Sequence, residues 1–463
     1  MTLILLKNLS TLLFLIMTGF ACIQLILKEN RISLLKYLPF SFPVGVIFVY
    51  MSSYFPVHLN LMPESWHWFS LSLGLLLILL GCYYYFKQPK LTFSWDLKLY
   101  LYDYFLVALI LVKLFILIYI SMVNPVVDSD ATNPYRHVGL AKLFFWGYPI
   151  EQTSAYTSGR AVKISPTILH AFVNSFQLRW HDSVATVHYP FFYIFSLLMV
   201  IYAGLKLKIK PTFVLLAAYI YTTLPLVAIH VIRPGYADLL VMSYFMIALV
   251  ALMSYFLSKQ QSPDRFTWFL LFIAIFGMMS NKLEGIIASA WTISLFSFLF
   301  LVRRWQFNWL KLLASTTGIF FILYLVYFFI GDWLIQNFDL SVGTQVMLQK
   351  RYDPKAINAF IHQMFIGGGQ GLIWWLFFLC SILSLYKTRT LEHRLLIGFA
   401  IVLVIAVFYF SCFTDNVQWT LNYTNVGRFL LQLSPLFIVS YYLTILNYSD
   451  IVQSLGRSSK QNQ

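Results

Sequence analysis

Charge is what this chain has least of. Only 11% of its 463 residues are Asp, Glu, Lys or Arg, against about 25% in a soluble globular domain. Acidic residues are the scarcer sign, 17 against 32 basic ones. Cysteine is rare too. Cys22, Cys82, Cys380 and Cys412 each sit in or beside an apolar run, and none forms a Cys-x-x-Cys pair. That placement argues against a disulfide framework or a zinc site and for small buried hydrophobes. No internal repeat and no low-complexity segment is visible, which removes fibrous and disordered classes. Only the tail after about Gly456 reads as unstructured.

What fills the chain is apolar surface. Hydrophobic residues make up 60%, with 44 Phe, 30 Tyr and 13 Trp, and the mean hydropathy is +0.75. This composition predicts one all-α, polytopic transmembrane helix bundle. The net charge of +15 is then no sign of nucleic acid, because membrane proteins gather basic residues on their cytoplasmic loops. The first apolar run, Leu9 to Leu27, has no small-residue cleavage site behind it and is followed by Lys28, Glu29, Asn30 and Arg31. It reads as a retained span rather than a signal peptide.

A helix needs about 20 apolar residues to cross a bilayer. That rule predicts 13 spans, over 8–27, 38–55, 65–86, 100–122, 187–205, 211–231, 237–257, 267–281, 285–302, 310–330, 367–386, 395–413 and 428–446. Alternate loops hold Lys28, Arg31 and Lys36, then Lys87, Lys90 and Lys98, then Lys206, Lys208 and Lys210. Further along the same side come Lys259, Arg265, Arg303, Arg304, Lys311, Lys387, Arg389 and Arg394. The positive-inside rule makes that side cytoplasmic, with the N-terminus outside and the C-terminus inside. Two long outer segments result, from Val123 to about Val187 and from Gly331 to about Gly367. The first holds two stretches of helical apolar spacing: Val138, Leu140, Leu143 and Phe144, then Ile168, Leu169, Phe172, Val173 and Phe176. Such amphipathic helices either lie in the membrane interface or pack on the bundle.

Because charge is scarce, its placement is informative. Asp128 and Asp130 fall just past the outer end of the fourth span. Arg233 and Asp238 share a short outer turn, Lys282 and Glu284 another, and Arg428 begins the last span. Ionisable groups at that depth are costly unless paired or wet, so a polar cavity at the outer face is the economical expectation. Each group also has an ordinary alternative. The two aspartates could cap helices, Lys282 and Glu284 could be a surface pair, and Arg233 and Arg428 could bind lipid phosphates. Lys113 lies inside the fourth span. His170, His181, His188 and His230 show no i, i+4 ligand spacing and read as structural.

Several of these stretches together carry a family likeness. They are Asp128-Ser129-Asp130 with Tyr135 and Leu140, and Ser165-Pro166 with Leu169-His170-Ala171. Then come Arg233-Pro234-Gly235-Tyr236-Ala237-Asp238, Asn281-Lys282-Leu283-Glu284-Gly285, and Gly427-Arg428-Phe429-Leu430-Leu431 with Ser434-Pro435-Leu436. The chain resembles the GT-C superfamily of integral-membrane glycosyltransferases. It is most similar to bacterial relatives of protein O-mannosyltransferases and of lipid A aminoarabinose transferases. The likeness covers roughly 100–446. Two departures stand out: four spans precede the acidic loop where the family usually has one, and no soluble C-terminal domain follows. A division into an added three-span module (1–95), a GT-C-like catalytic domain (96–447) and a short cytoplasmic tail (448–463) follows.

The resemblance implies an integral protein of a bacterial inner membrane. It would move a sugar from a polyprenyl-phosphate-linked donor to an extracytoplasmic acceptor (protein, lipid or glycan) by direct displacement. Such a reaction needs a base for the acceptor proton and cations for the departing phosphate. Asp128 is the expected base, with Asp130 as second choice or orienting partner. Arg233, Lys282 and Arg428 are expected on the phosphate, with Asp238 and Glu284 among the donor-binding residues. The resemblance leaves open a divalent ion on Asp128 and Asp130, since some relatives use one and others do not. Membrane lipids are expected partners and nucleic acid is not. The rival classes are a transporter or flippase of lipid-linked sugars, which favours midplane charges and internal repeats, and a surface-polysaccharide polymerase or ligase.

Overall fold

The computed structural model describes residues 2–28, 32–58, 63–87, 91–92, 99–123, 137–148, 164–177, 179–257, 262–304, 351–367, 369–387, 390–414, 416–423 and 426–461. The described residues form a helical bundle. In chain order the helices are α1 (Thr2–Leu27), α2 (Leu34–His58), α3 (Pro63–Lys87), α4 (Leu101–Val123), α5 (His137–Phe145) and α6 (Ile164–Asn174). Next come α7 (Asp182–Ala185), α8 (Tyr189–Lys206), α9 (Pro211–Thr222), α10 (Pro225–Ile232), α11 (Asp238–Phe256), α12 (Arg265–Asn281) and α13 (Leu283–Arg304). The last are α14 (Pro354–Phe365), α15 (Ile373–Lys387), α16 (Leu391–Phe413), α17 (Val417–Leu421), α18 (Val426–Leu433) and α19 (Leu436–Gln461). One two-residue parallel pairing joins Ile32–Ser33 to Leu91–Thr92.

Eight of these helices are long and apolar enough to cross a membrane, or up to 10 if each of two bent pairs is one span. The expected span at 310–330 lies outside the described residues. Those at 267–281 and 367–386 correspond to the shorter helices α12 and α15. The expected 211–231 span is broken: α9 and α10 meet at 59°. The cause is local, since Pro225 begins α10 and a proline's missing N–H and fixed ring cannot continue the preceding helix. At Ser434-Pro435 the same chemistry separates α18 from α19 with a 40° bend. By contrast α2 runs through Pro39, Pro43 and Pro56 without ending.

The centre of the bundle is α11, in which every residue but Ser254 is buried. It packs against α8, α12 and α18. The N-terminal helices belong to the same core. Tyr244 of α11 donates to the carbonyl of Pro43 in α2 (3.1 Å). α1 and α2 approach closely because Gly19 and Gly45 face them: a Cβ on Gly19 would lie 1.8 Å from the Ser41 carbonyl oxygen, and one on Gly45 1.9 Å from that of Leu15. The amphipathic helices α5 and α6 pack inward. Trp66 stacks on Phe144 at 5.5 Å, and Phe14 meets Phe172 at 6.0 Å. Val138, Leu140, Ile168, Leu169 and Val173 are buried, so of the two alternatives these helices take packing on the bundle.

Candidate functional site

The buried helix α11 begins with a carboxylate. Asp238 is fully buried at the helix N-terminus, where the backbone dipole favours negative charge. Side chains from two other helices and one turn reach it. Lys282 Nζ lies 2.8 Å from Oδ1, and Gln432 Nε2 donates to the same oxygen at 2.6 Å. Arg428 grips Oδ2 with Nε at 2.9 Å and Nη2 at 2.8 Å. His230 Nε2 stands 3.8 Å from Oδ2. A carboxylate offers about four lone-pair positions, so Asp238 has no face left for a ligand.

Helix directions explain why these residues meet. Asp238 opens α11, Lys282 follows the last residue of α12, Glu284 is in the first turn of α13, and Arg428 is in the first turn of α18. All four therefore stand at one end of the bundle. Arg428 and Gln432 are one turn apart and point the same way. Lys282 sits in extended backbone between two helices that turn back sharply. Gly285 permits that turn, since a Cβ there would come within 2.0 Å of the Met278 carbonyl oxygen. Lys282 also bridges to Glu284 Oε1 at 3.0 Å. Its neighbour Asn281 is held twice, donating to the Gly277 carbonyl (2.6 Å) and accepting from the Tyr50 hydroxyl (2.9 Å). Arg428 lies over the Tyr236 ring, 4.7 Å from its centre.

A second layer fixes the start of α18. The N–H of Gly427 donates to Gln363 Oε1 (2.9 Å), while its carbonyl accepts from Gln370 Nε2 (2.8 Å). Gln370 in turn accepts from Trp374 Nε1 at 3.3 Å. The segment around α14 and α15 thus clamps the peptide next to Arg428.

Of the residues expected from sequence, Asp238, Lys282, Glu284 and Arg428 come together. Arg233 ends α10 as an exposed side chain and makes no ion pair to Asp238 among the described residues. Asp128 and Asp130 lie outside the described residues, as does any ion they would hold. Among the described residues no three His, Cys, Asp or Glu side chains stand together as a metal group. Sequence reasoning missed Gln432 and gave His230 no role at the site. Gln432 carried a usable signal, an amide one turn after Arg428 in an apolar helix. His230 had none beyond lying eight residues before Asp238.

Two features surround this ion cluster. On one side an apolar groove runs between Val241 and Phe245 of α11, Ile287 and Ala288 of α13, Leu403, Val407 and Phe410 of α16, and Phe429 and Leu433 of α18. Glu284, Asn416 and Gln432 line it as well, so its polar end adjoins Lys282 and Asp238. The second feature is a buried neutral patch. His170 and His188 face each other with ring centres 4.9 Å apart, and Tyr189 stacks on His170 at 5.9 Å. His170 Nδ1 donates to the Ala185 carbonyl (2.8 Å). Both ring nitrogens of His188 and the Tyr189 hydroxyl are buried without a hydrogen bond of good geometry. Burial pushes His170 down to about 4 despite its bond to Ala185. Burial, with His170 as a second cause, holds His188 well below the usual histidine range. Both rings are neutral at pH 7.

No protein-family model matches the chain, and neither a curated protein nor a solved structure matches it significantly.

Proposed function

We propose that the protein is an integral-membrane glycosyltransferase of GT-C type, with 13 spans, that uses a polyprenyl-phosphate-linked sugar. One observation carries the reading: two cations anchored on a buried carboxylate stand at the polar end of an apolar groove. An amphiphile with a phosphate head and an apolar tail matches the chemistry of both parts. Most of the groove's wall comes from the long apolar helices α11, α13 and α16, with Glu284, Asn416 and Gln432 at its polar end. Arg428 commits Nε and Nη2 to Asp238, which leaves Nη1 for a phosphate oxygen. Lys282 has three N–H bonds, of which two face Asp238 and Glu284. The four charges of Asp238, Glu284, Lys282 and Arg428 cancel. A phosphate is therefore held by directed, charge-assisted N–H bonds rather than by excess positive charge. Arg233, exposed at the same end, adds one more cation.

In that reading the sugar leaves the phosphate as the acceptor oxygen or nitrogen attacks its anomeric carbon. Lys282 and Arg428 stabilise the charge that builds on the departing phosphate. Asp238 supports the reaction indirectly, by fixing the cations before the substrate arrives. Asp128, with Asp130 beside it, is the proposed base that takes the acceptor proton. The site faces the extracytoplasmic side, with the N-terminus outside, in a bacterial inner membrane. A second reading rests on the broken helices. His230 and Arg428 each sit on one half of a bent pair, and interrupted spans with helix ends at a binding site are characteristic of transporters.

Purified protein in lipid nanodiscs, given a panel of polyprenyl-phosphate sugars and candidate acceptors, is expected to release free polyprenyl phosphate. Arg428→Ala should raise the apparent KM for the donor about 10- to 100-fold, the scale of one charged hydrogen bond of about 1.5–3 kcal/mol. Arg428→Lys, which keeps the charge but not the fork, should lie between. Movement of the intact lipid-linked sugar across a sealed vesicle, with no cleavage, would replace the enzyme reading by the transporter one.

A further inference from the structure

The N-terminal helices enclose a second cavity, at the opposite end of the bundle from the ion cluster. Its volume is about 490 Å³, and it lies between Phe20 and Gln24 of α1, Leu38 of α2, and Ile78, Cys82 and Phe86 of α3. Helix α12 fixes its position. Lys36, in the first turn of α2, lies 4.7 Å over the ring of Phe266. Phe266 is at the start of α12, and Lys282 follows that helix's far end, 17 residues on. That length of helix, about 25 Å, separates the two sites. The three helices around the cavity are each long and apolar enough to cross a membrane. Cys82 and Phe86 are exposed, so the cavity opens on the flank of the bundle that lipid covers.

One amide interrupts the apolar wall. Gln24 is 4% exposed, and its amide nitrogen has no hydrogen-bond partner. Its oxygen lies beside Gly81 of the same wall, 3.6 Å from where a Cβ would stand. The terminal torsion of an amide side chain is broad and roughly two-fold, so a half-turn brings the N–H groups to that side. An unmet buried amide costs about 1–3 kcal/mol, a penalty that an acceptor in the cavity would lift. Above Gln24 stands a cation. The backbone N–H of Lys28 donates to the Gln24 carbonyl at 3.0 Å, which places the exposed Lys28 one turn beyond it.

The site thus offers, in order, an apolar cavity, a hydrogen-bond donor and a positive charge. A phospholipid presents the matching order of acyl chain, ester carbonyl and phosphate. We propose that this cavity seats one acyl chain of an ester-linked phospholipid, with its ester carbonyl on Gln24 and its phosphate toward Lys28. The lipid belongs to the leaflet away from the ion cluster, so the site stands apart from the sugar-transfer reading. A polyprenyl phosphate lacks the carbonyl and is not the occupant.

The test uses the full chain in nanodiscs of ether-linked phosphatidylcholine, with phosphatidylglycerol that bears a diazirine in one acyl chain. In wild type, labelling of peptides from α1 and α3 should saturate. Labelling of α4, whose Leu111 and Phe115 are exposed, should instead rise in proportion to the probe, as bulk lipid contact does. The ether-linked version of the probe keeps the chain and phosphate but has no carbonyl. It should need about 2- to 10-fold more lipid for half-saturation, the scale of one hydrogen bond. Gln24→Leu removes the donor and keeps the wall apolar, so it should bind ester and ether probes equally. That ratio is internal to each protein, and a loss of folding, which removes both signals, does not imitate it. Labelling of α1 and α3 that never saturates, or equal half-saturation by the two probes in wild type, overturns the site. Discrimination that survives in Gln24→Leu overturns it too, because the donor then lies elsewhere. Displacement of the probe by bare polyprenyl phosphate more readily than by unlabelled phosphatidylglycerol also overturns it, since the occupant is then a different lipid.

Discussion

Two regions of this bundle bury polar side chains and treat them in opposite ways. Around Asp238 the charges are kept and paired: one carboxylate meets Lys282, Arg428 and Gln432 within 2.9 Å. In the patch around His170, His188 and Tyr189 the groups are neutral, and several of their polar atoms lack a well-formed hydrogen bond. Burial disfavours the charged form, and the histidines avoid that cost by losing their protons. Asp238 does not, because removing its charge would leave two cations stranded. Apolar packing would have been at least as stable as a buried ion pair in many proteins. Charge retained at such a cost is therefore a pointer to function, and the neutral patch is not.

The comparison is broken most severely at Asp238. Asp238→Ala removes the buried counter-ion that Lys282 and Arg428 share. Breaking one partner of a buried ion pair costs about 3–5 kcal/mol. We expect a loss of that size in denaturant unfolding of the detergent-purified protein, with Asp238→Asn closer to wild type because it keeps part of the hydrogen bonding. A change under about 1 kcal/mol in Asp238→Ala, smaller than a typical buried hydrogen-bond loss, would mean that the cations are satisfied elsewhere.

The neutral patch makes the opposite, pH-dependent forecast. The folded-state value of His170 is depressed from 6.5 to about 4. Above pH 6.5 both folded and unfolded chains hold the ring neutral, and the contribution is complete. As pH falls toward 4 the unfolded chain takes up a proton that the folded chain refuses, so stability is lost. Each tenfold weakening of proton affinity is worth about 1.4 kcal/mol, so this one ring costs about 3 kcal/mol between pH 7 and pH 4. His170→Asn keeps a donor for the Ala185 carbonyl and cannot titrate. Its unfolding midpoint should therefore fall less steeply with acid than that of wild type. Parallel pH profiles for the two would show that the ring is protonated in the fold and that the contrast between the two regions is false.

Much of this was legible in the sequence because charge is sparse in a membrane chain. With so few ionisable residues, Asp238, Lys282, Glu284 and Arg428 stood out one by one, and the alternation of spans placed them at one end. The Gly285 that follows Glu284 marked the sharp turn that the structure shows. Amides gave no such signal. Gln432, Asn416, Gln363 and Gln370 look like any polar residue near a helix end, and only the fold shows which ones meet. Helix breaks were half-visible: Pro225 and Pro435 end helices, yet Pro39 and Pro43 lie within α2. A proline's effect depends on whether neighbouring helices support the interrupted turn, and that is a tertiary property. The acidic loop that carries Asp128 and Asp130 was read from the span topology and the motif, and it lies outside the described residues.

The smallest effect tests where the paired region ends. Tyr50 belongs to α2, far from the ion cluster in sequence, yet its hydroxyl donates to Asn281 Oδ1 at 2.9 Å, next to Lys282. If the cluster is held from behind as well as by its own charges, Tyr50→Phe should matter slightly. It removes one buried hydrogen bond and leaves the Asn281 oxygen unsatisfied, a loss of about 1–2 kcal/mol. The ring itself stays, so packing around α2 is unchanged and no cavity forms. The useful measurement is a double-mutant cycle with Lys282→Met. A coupling energy above about 0.5 kcal/mol, the usual limit of additivity between independent sites, would show that the N-terminal helices help to position the cation. Strict additivity would confine the ion cluster to α11, α12, α13 and α18, and would leave α2 as packing alone.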